Sequence, residues 1–432
     1  MTAPRTLLEA LVRQRQLSWD EAASAVSDAA REHGERSLSL SSRHLARLAR
    51  RERQGDAQPN PATCRALQYA FGRSIDELLA PYAQGELVVV GSGHIEPAPR
   101  TSEVLKVAAD RARRFMSNLQ TMSDETLALV QEDVRDLVRS YPTRPLTEVL
   151  GHMISLQDTL FRLLEQPQRP NHSRQLYFMA AVVGGLLAKA SHDLADPHAA
   201  LAQSRTAWLC AEHADHDGAR AWICGLQALV SYWARRPHDS IRYAQRGAVF
   251  AERAGNSSTV WLAASEGRAW GLLGHAAQAH AAIARAERAW STVRQDEMDE
   301  MGGVATFSRP RQLYFAADAL AWLPDQAAAA QDYSTEAVTA YADPADPDWA
   351  FGDAAGSRAD LAIARVRQHE VDGAAEILAP VLGLPVEQRI NGIVHSVQRV
   401  HAALDGTTSA EGVELQERIE EYTRAPLRSL PR

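Results

Sequence analysis

Residues 40–55, LSSRHLARLARRERQG, place five arginines in eleven positions: Arg43, Arg47, Arg50, Arg51 and Arg53. A row of guanidiniums does one kind of chemistry well, because each is a planar, permanently charged fork that matches phosphate oxygens and the O6/N7 edge of guanine. On a helix at about 100° per residue, Leu45, Leu48 and Ala49 share one side, while Arg50, Arg43, Gln54 and Arg47 fall within roughly 60° of arc opposite Leu45. His44, Arg51 and Arg53 flank that arc. Such a helix is fastened by its leucines and shows an arginine stripe that fits a major groove about 12 Å wide. The competing reading is a plain solvated face, but such faces usually alternate charge signs to form i,i+4 pairs. Here Glu52 is the only acid, and it projects on the leucine side. The stripe therefore points to double-stranded DNA as a partner.

Other residue clusters lack a complete chemistry. CAEHADHD brings Cys210, His213, His216 and Asp217 together with zinc-like spacing, but no second half-site follows, and the run sits at a helix end where polar residues are expected. Lys189 in GGLLAKAS lacks the glycine spacing of a phosphate-binding loop. VVVGSG, within 83–102, offers two glycines of a dinucleotide fingerprint, yet Glu96 holds the third position and proline follows. No nucleophile, acid–base pair or metal set is recognisable, so neither an enzyme nor a cofactor is expected.

The totals agree with a regulatory or binding role. The chain has 432 residues, 45% hydrophobic and 23% charged, with net charge −8. That length suits two or more domains. Its start does not read as a signal peptide, and the longest apolar run, Leu176 to Ala188, is too short for about 30 Å of hydrocarbon. Three cysteines, Cys64, Cys210 and Cys224, make no disulfide framework, so a reducing cytoplasm is expected. Lys106 and Lys189 are the only lysines. Arginine abundance by itself thus reflects a GC-rich coding bias, and position must carry the argument. Residues 1–82 hold 12 Arg against 10 acids, while the remainder holds 34 basic residues against 44 acids. The basic island is local.

The elements that must position the stripe are short helices with clear punctuation. Ser18 and Glu21 form a capping box that opens a helix through about His33. Ser41 or Ser42 caps the next helix. Asn60-Pro61 opens another and Gly72 ends it, and Ser74 with Glu77 starts a fifth that Pro81 stops. Residues 83–102 read as a linker. From 103 onward the chain is nearly continuous helix, and the segments starting at DLADPH, ARRPHD and LLGHAA echo one another at a period near 34–40, the mark of tetratricopeptide-like helix pairs. Residues 260–293 make the best unit, with Gly267, Gly274, Ala279 and Ala286 as close-approach points and Trp270 between the helices. Further pairs are read at 311–341, 355–383 and 388–423. The acidic break 294–310 reads as a mobile lid or a disordered loop.

In such a superhelix the first helix of each pair lines a concave face. Trp233, Trp261 and Arg268 would face it, with Lys189, Arg311 and Tyr314 nearby. Aromatic walls with a few cations suit a peptide carboxylate or an apolar acid. Trp208, Trp222, Trp270 and Trp290 serve equally well as inter-helix core.

Residues 40–81, LSSRHLARLARRERQGDAQPNPATCRALQYAFGRSIDELLAP, resemble the third to fifth helices of actinomycete Cro/C1-type helix-turn-helix regulators. SRQLYFMAAVVGGLLAKASHDLADPHAALAQSRTAWLCAEHADHDGARAWICGLQALVSYW is similar to their tetratricopeptide-like region. The resemblance implies an all-α chain: a five-helix helix-turn-helix module at 1–82, a linker at 83–102, an α-solenoid for sensing and dimerisation at 103–423, and a tail at 424–432. It further implies a cytoplasmic, homodimeric transcriptional regulator with a small-molecule or peptide effector. By position, Ser42, Arg43, His44 and Arg47 become base-edge candidates, and Arg50, Arg51 and Arg53 phosphate candidates. Two departures stand out. The family's Arg-Trp-Glu-Arg-Gly is replaced by Arg47-Leu48-Ala49-Arg50-Arg51, and the connection REHGERSLSLSS is longer than a tight turn. The alternative is a helical-repeat adaptor or anti-activator that binds protein rather than DNA.

Overall fold

The computed structural model describes residues 4–14, 17–32, 40–50, 59–81, 123–425 and 427. The chain divides into two units, Met1–Glu103 and Val104–Arg432. Among the described residues the regular structure is all helix, and the single extended pairing is an isolated bridge between Thr6 and Pro81.

Five helices make up the first unit: α1 (Leu7–Gln14), α2 (Trp19–Glu32), α3 (Ser42–Arg50), α4 (Pro61–Phe71) and α5 (Ile75–Leu79). Their ends follow the sequence punctuation. The Ser18 hydroxyl accepts from the Glu21 amide at 3.2 Å and the Glu21 carboxylate accepts from the Ser18 amide at 2.8 Å. Asn60 caps α4, Gly72 closes it in the left-handed region, and Ser74 with Glu77 forms the second capping box. Leu8, Val26, Leu45, Leu67 and Leu78, one from each helix, are fully buried in one core.

The second unit is a helical-repeat array. Its first pair is α6 (Asp124–Ser140) and α7 (Leu146–Leu164), and the next is α8 (Pro170–Asp193) and α9 (Pro197–His213). Then come α10 (Asp217–Trp233) with α11 (Pro237–Ala254), and α12 (Ser258–Leu272) with α13 (Ala276–Ala289). The last three pairs are α14 (Arg309–Leu320) with α15 (Ala327–Ala340), α16 (Phe351–Arg367) with α17 (Val371–Leu382), and α18 (Asn391–Ala403) with α19 (Ala410–Thr423). The pairs expected from about 260 onward therefore all form. Among the described residues no helix is long and apolar enough to cross a membrane. The proposed linker 83–102 and the start of the repeats through 122 lie outside the described residues.

A recurring turn sets the repeat. Left-handed residues fall at Ala195, Asp215, Arg235, Gly255 and Gly274, one every 19 or 20 positions, so a helix pair runs 39 or 40 residues. At four of these turns the amide just beyond closes a six-residue loop: Asp196 to Ser191, His216 to Ala211, Arg236 to Ser231 and His275 to Trp270, at 2.8–3.2 Å. This is the Schellman closure, which satisfies carbonyls that a helix end leaves open. Glycine would signal such turns in a sequence. Here Ala, Asp and Arg occupy three of the five, at a cost of about 1–2 kcal/mol each, and the 39–40-residue repeat falls at the upper end of the period of 34–40 read from the sequence.

Two expectations need correction. Gly267 is not where the helices come closest, since a Cβ there would meet Ala282 and Ile283 at an ordinary 3.5–3.6 Å. The forced approaches are elsewhere: at Gly225 a Cβ would lie 2.6 Å from the Trp261 ring, and at Gly271 2.1 Å from the Ala319 carbonyl oxygen. The break 294–310 is neither a lid nor disordered. Its apolar residues Met298, Met301, Val304 and Phe307 are buried among the helices. Asp299 accepts from the Ser257 amide and hydroxyl, and the Trp222 indole donates to the Val304 carbonyl at 3.2 Å. Four apolar anchors outweigh the acidic composition, and the segment is an ordered strap.

The turn and the close approach predict opposite outcomes. Ala195→Gly relieves a left-handed alanine and should raise stability by about 0.5–1 kcal/mol. Gly271→Ala overpacks α12 against α14 and should lower it by about 1–3 kcal/mol. Urea midpoints of the two variants against the parent chain check both signs.

Candidate functional site

Two surfaces bear on function, one in each unit. The first is α3. The Ser41 hydroxyl accepts from the His44 amide at 3.3 Å, which settles the capping residue in favour of Ser41 over Ser42. Leu45 and Ala49 are fully buried and Leu48 is half-buried, and the Ala49 carbonyl accepts from the Thr6 hydroxyl of the segment before α1. The opposite side carries Arg43, Arg47 and Arg50, all exposed, with Ser42 and His44 half-exposed beside them. The leucine base and arginine stripe read from periodicity are thus the two sides of the helix.

Nothing neutralises that stripe. Among the described residues no carboxylate pairs with Arg43, Arg47 or Arg50. Arg47 reaches the His44 ring at 3.1 Å, and Arg50 lies 6.0 Å from the Trp19 ring. Arg51 and Arg53, named as phosphate candidates, lie outside the described residues, as does the connection 33–39.

The second surface is a cavity of about 90 Å³ in the repeat unit, and all six residues expected on the concave face line it. Lys189 comes from α8, Trp233 from the end of α10, Trp261 and Arg268 from α12, and Arg311 and Tyr314 from α14. All belong to first helices of their pairs, and these inner helices contact one another in succession. The face is not the open groove expected. The last inner helix, α18, reaches α8, and Trp261, Arg268 and Tyr314 are buried to 7, 2 and 4% exposure. Small residues at Gly225, Gly271 and Gly356 let the inner helices converge until side chains fill most of the space.

What spacing could not reveal is the partner of each cation. Lys189 pairs with Asp193 at 2.8 Å and Arg311 with Asp353 at 2.6 Å. Arg268 donates to Asp318 at 2.6 Å, and Asp318 also accepts from the Tyr232 hydroxyl at 2.5 Å and from Arg399. Both signs therefore line the cavity. Asp318 carried one signal in the sequence: it interrupts an otherwise apolar helical stretch, FAADALA, where an acid must find a buried partner; Asp360, in SRADLAI beside Ser357 and Arg358, carried none.

Burial and charge divide these acids. Burial pushes the Asp318 carboxyl up, but Arg268 and Arg399 overcome it and hold the group below its ordinary range. Asp360 is driven well above that range, by burial first and then by the Asp318 charge. It lies 3.2 Å from Arg399 without hydrogen-bond alignment. His192, on the cavity wall, is lowered to about 4, chiefly by burial, and is neutral at ordinary pH.

The zinc-like run is spent on structure. His216 caps α10 through the Ala219 amide at 3.0 Å and stacks on Phe178, while Asp217 pairs with Arg220 and Arg253. Among the described residues no cluster of three His, Cys, Asp or Glu is arranged to hold a metal. Trp222 is core, as one reading allowed, and Trp208 stacks edge-on against Phe250. No protein-family model matches the chain, and a search of curated proteins finds no match.

The raised Asp360 fixes the sign of one pH effect. A carboxyl raised on folding favours the native state only below its unfolded value and costs stability as pH climbs above it. Asp360→Asn removes that cost, so the variant should be more stable than the parent near pH 7. The gain should vanish near pH 4, where the parent acid is already neutral. Thermal melts across pH 4–8 check it.

Proposed function

We propose that the chain is a sequence-specific DNA-binding transcriptional regulator, with α3 lying in the major groove and the repeat unit serving dimerisation and effector binding. The observation that carries this is the state of α3: Leu45 and Ala49 fully buried on one side, and Arg43, Arg47 and Arg50 exposed and, among the described residues, without carboxylate partners on the other. Clustered cations repel one another, and a polyanion removes that cost while releasing its own condensed counterions. Ser42, Arg43, His44 and Arg47, on the N-terminal half of the helix, take the base-edge roles, where recognition helices read bases. Arg50, with Arg51 and Arg53 beyond it, takes the phosphates. A homodimer would set two such helices about one duplex turn apart on a two-fold site.

The effector reading rests on the first cavity. Lys189–Asp193 and Arg311–Asp353 present both signs beside Trp233 and Trp261. That wall suits a small ligand or peptide end carrying an amine and a carboxylate, each exchanged against one half of an ion pair.

Binding to DNA from the chain's own upstream region, measured by gel shift at several salt concentrations, tests the main reading. Affinity should fall steeply, with a logarithmic slope of about −0.9 per phosphate neutralised. Arg47→Ala should relax sequence preference by about 1–3 kcal/mol at one base pair, whereas Arg50→Ala should weaken all sequences alike. A salt-independent complex, or none at low salt, would favour the protein-binding adaptor instead.

A further inference from the structure

A second cavity, of about 230 Å³, opens on the other side of the buried ion cluster. It lies among the ends of α10, α12 and α14 and the inner faces of α16 and α18. Its composition differs from that of the first. Arg235, Arg367 and Arg399 line it together with His395, and no Asp or Glu is among its lining residues. Apart from Gln398, the rest of the wall is apolar or aromatic, including Trp233, Trp322, Leu272, Ile363 and Ala403.

The cations here are undercompensated. Arg399 is 8% exposed, and its Nη1 is held by Asp318. Its Nη2 is buried without a hydrogen-bond partner. Asp318 is already shared with Arg268 and Tyr232, and Asp360, though 3.2 Å from Arg399, makes no hydrogen bond to it. Among the described residues Arg367 donates to the Leu323 carbonyl at 3.3 Å and to no carboxylate, and its guanidinium is lowered by burial and then by the Arg399 charge. Arg235 is exposed at the mouth, pairs with no carboxylate among the described residues, and lies 4.8 Å from the Trp322 ring, which Arg399 approaches at 4.2 Å. The buried Arg399 donor left unmade is a costly arrangement for a site with no ligand, and Arg367 and Arg235 add positive charge beside it.

We infer that this second cavity is a binding site for a small organic carboxylate, its anionic head on Arg399, Arg367 and Arg235 and its apolar body over Leu272, Ile363 and Ala403. The volume is below that of sites for drug-sized ligands, which limits the occupant to a one- or two-ring acid or a short acyl chain. The planar carboxylate matches the free edge of a guanidinium. This site differs from the first cavity, where Lys189 and Arg311 each face an acid of the same wall, and it does not depend on the DNA-binding reading.

Calorimetric titration of the full chain with phenylacetate, against uncharged phenylacetamide, tests the site. Phenylacetate should bind saturably and at least about tenfold more tightly than the amide, since a lost charge-assisted bond at a buried arginine is worth that much. Arg367→Gln and Arg235→Gln leave the Asp318 cluster intact, and each should weaken phenylacetate several-fold with the far-ultraviolet circular dichroism of the fold retained. Equal affinity for acid and amide would overturn the proposal. So would loss of binding in Lys189→Gln, from the first cavity, with Arg367→Gln unaffected. Absence of heat with phenylacetate, benzoate and hexanoate up to about 10 mM, a range in which even a weak site near 1 mM saturates, would overturn it as well.

Discussion

The repeat unit turns on one buried carboxylate. Asp318, on α14 and fully inaccessible, accepts from Tyr232 on α10, Arg268 on α12 and Arg399 on α18. Four inner helices, drawn from four successive or converging pairs, therefore meet at a single charge. An unpaired carboxylate there would cost several kcal/mol in lost hydration, and removing one partner of such a pair ordinarily costs about 3–5 kcal/mol. Hydrophobic burial holds each helix to its neighbour in the stack, as the alanine-rich interfaces show. It cannot by itself fix how far the coil tightens, because apolar contact is non-directional. The Asp318 hydrogen bonds supply that direction.

Both cavities are consequences of this node. Convergence on Asp318 requires the inner helices to close up, which Gly225, Gly271 and Gly356 permit. Arg268 then lines the first cavity and Arg399 the second, each on its own flank of the same carboxylate. The electrostatic difference between the flanks follows from local sequence. On the first, Asp193 stands one helical turn beyond Lys189, and Asp353 faces Arg311 from the next inner helix. On the second the nearest acid is Asp360, which burial first and then the Asp318 charge push well above its ordinary range. It lies 3.2 Å from Arg399 without a hydrogen bond, so no acid on this flank is aligned to the cations as Asp193 and Asp353 are on the first.

What could be read from the sequence is what short range decides. Caps at Ser18, Asn60 and Ser74 are local hydrogen bonds with local signals, and the two sides of α3 follow from periodicity alone. Lys189, Trp233, Trp261, Arg268, Arg311 and Tyr314 could be gathered because first helices of repeat pairs share a face. Ion-pair partners could not, since Arg268 and Asp318 are 50 residues apart and Arg399 and Asp318 are 81. The strap at 294–310 escaped for a related reason. Its buried Met298, Met301, Val304 and Phe307 recur every third residue, the period of the short 3-10 turns the segment forms, and that spacing announces neither an α-helix nor a strand. The turns themselves were marked in DLADPH, ARRPHD and LLGHAA, but the left-handed backbone at Ala195, Asp215 and Arg235 was not, because glycine does not stand there.

Composition bears on α3 in a way that favours design over coding bias. A chain rich in arginine by codon usage would scatter guanidiniums, and its acids would meet them wherever they fell. The rest of the first unit behaves that way: Arg13 pairs with the buried Glu9 and Arg31 with Asp28, both at 2.6 Å. Acids are therefore available within the unit, and helix spacing brings them to arginine elsewhere. On α3 the same unit places none in its nine residues. A solvated helix gains a few tenths of a kcal/mol from each i,i+4 pair it makes and loses a similar amount from each like-charge pair, so a sequence drifting toward stability alone would have acquired an acid there. The stripe forgoes that gain while its opposite side is as tightly buried as any surface in the unit. Among the described residues α3 is thus anchored by Leu45 and Ala49 on one side and carries Arg43, Arg47 and Arg50 exposed, without a carboxylate partner, on the other.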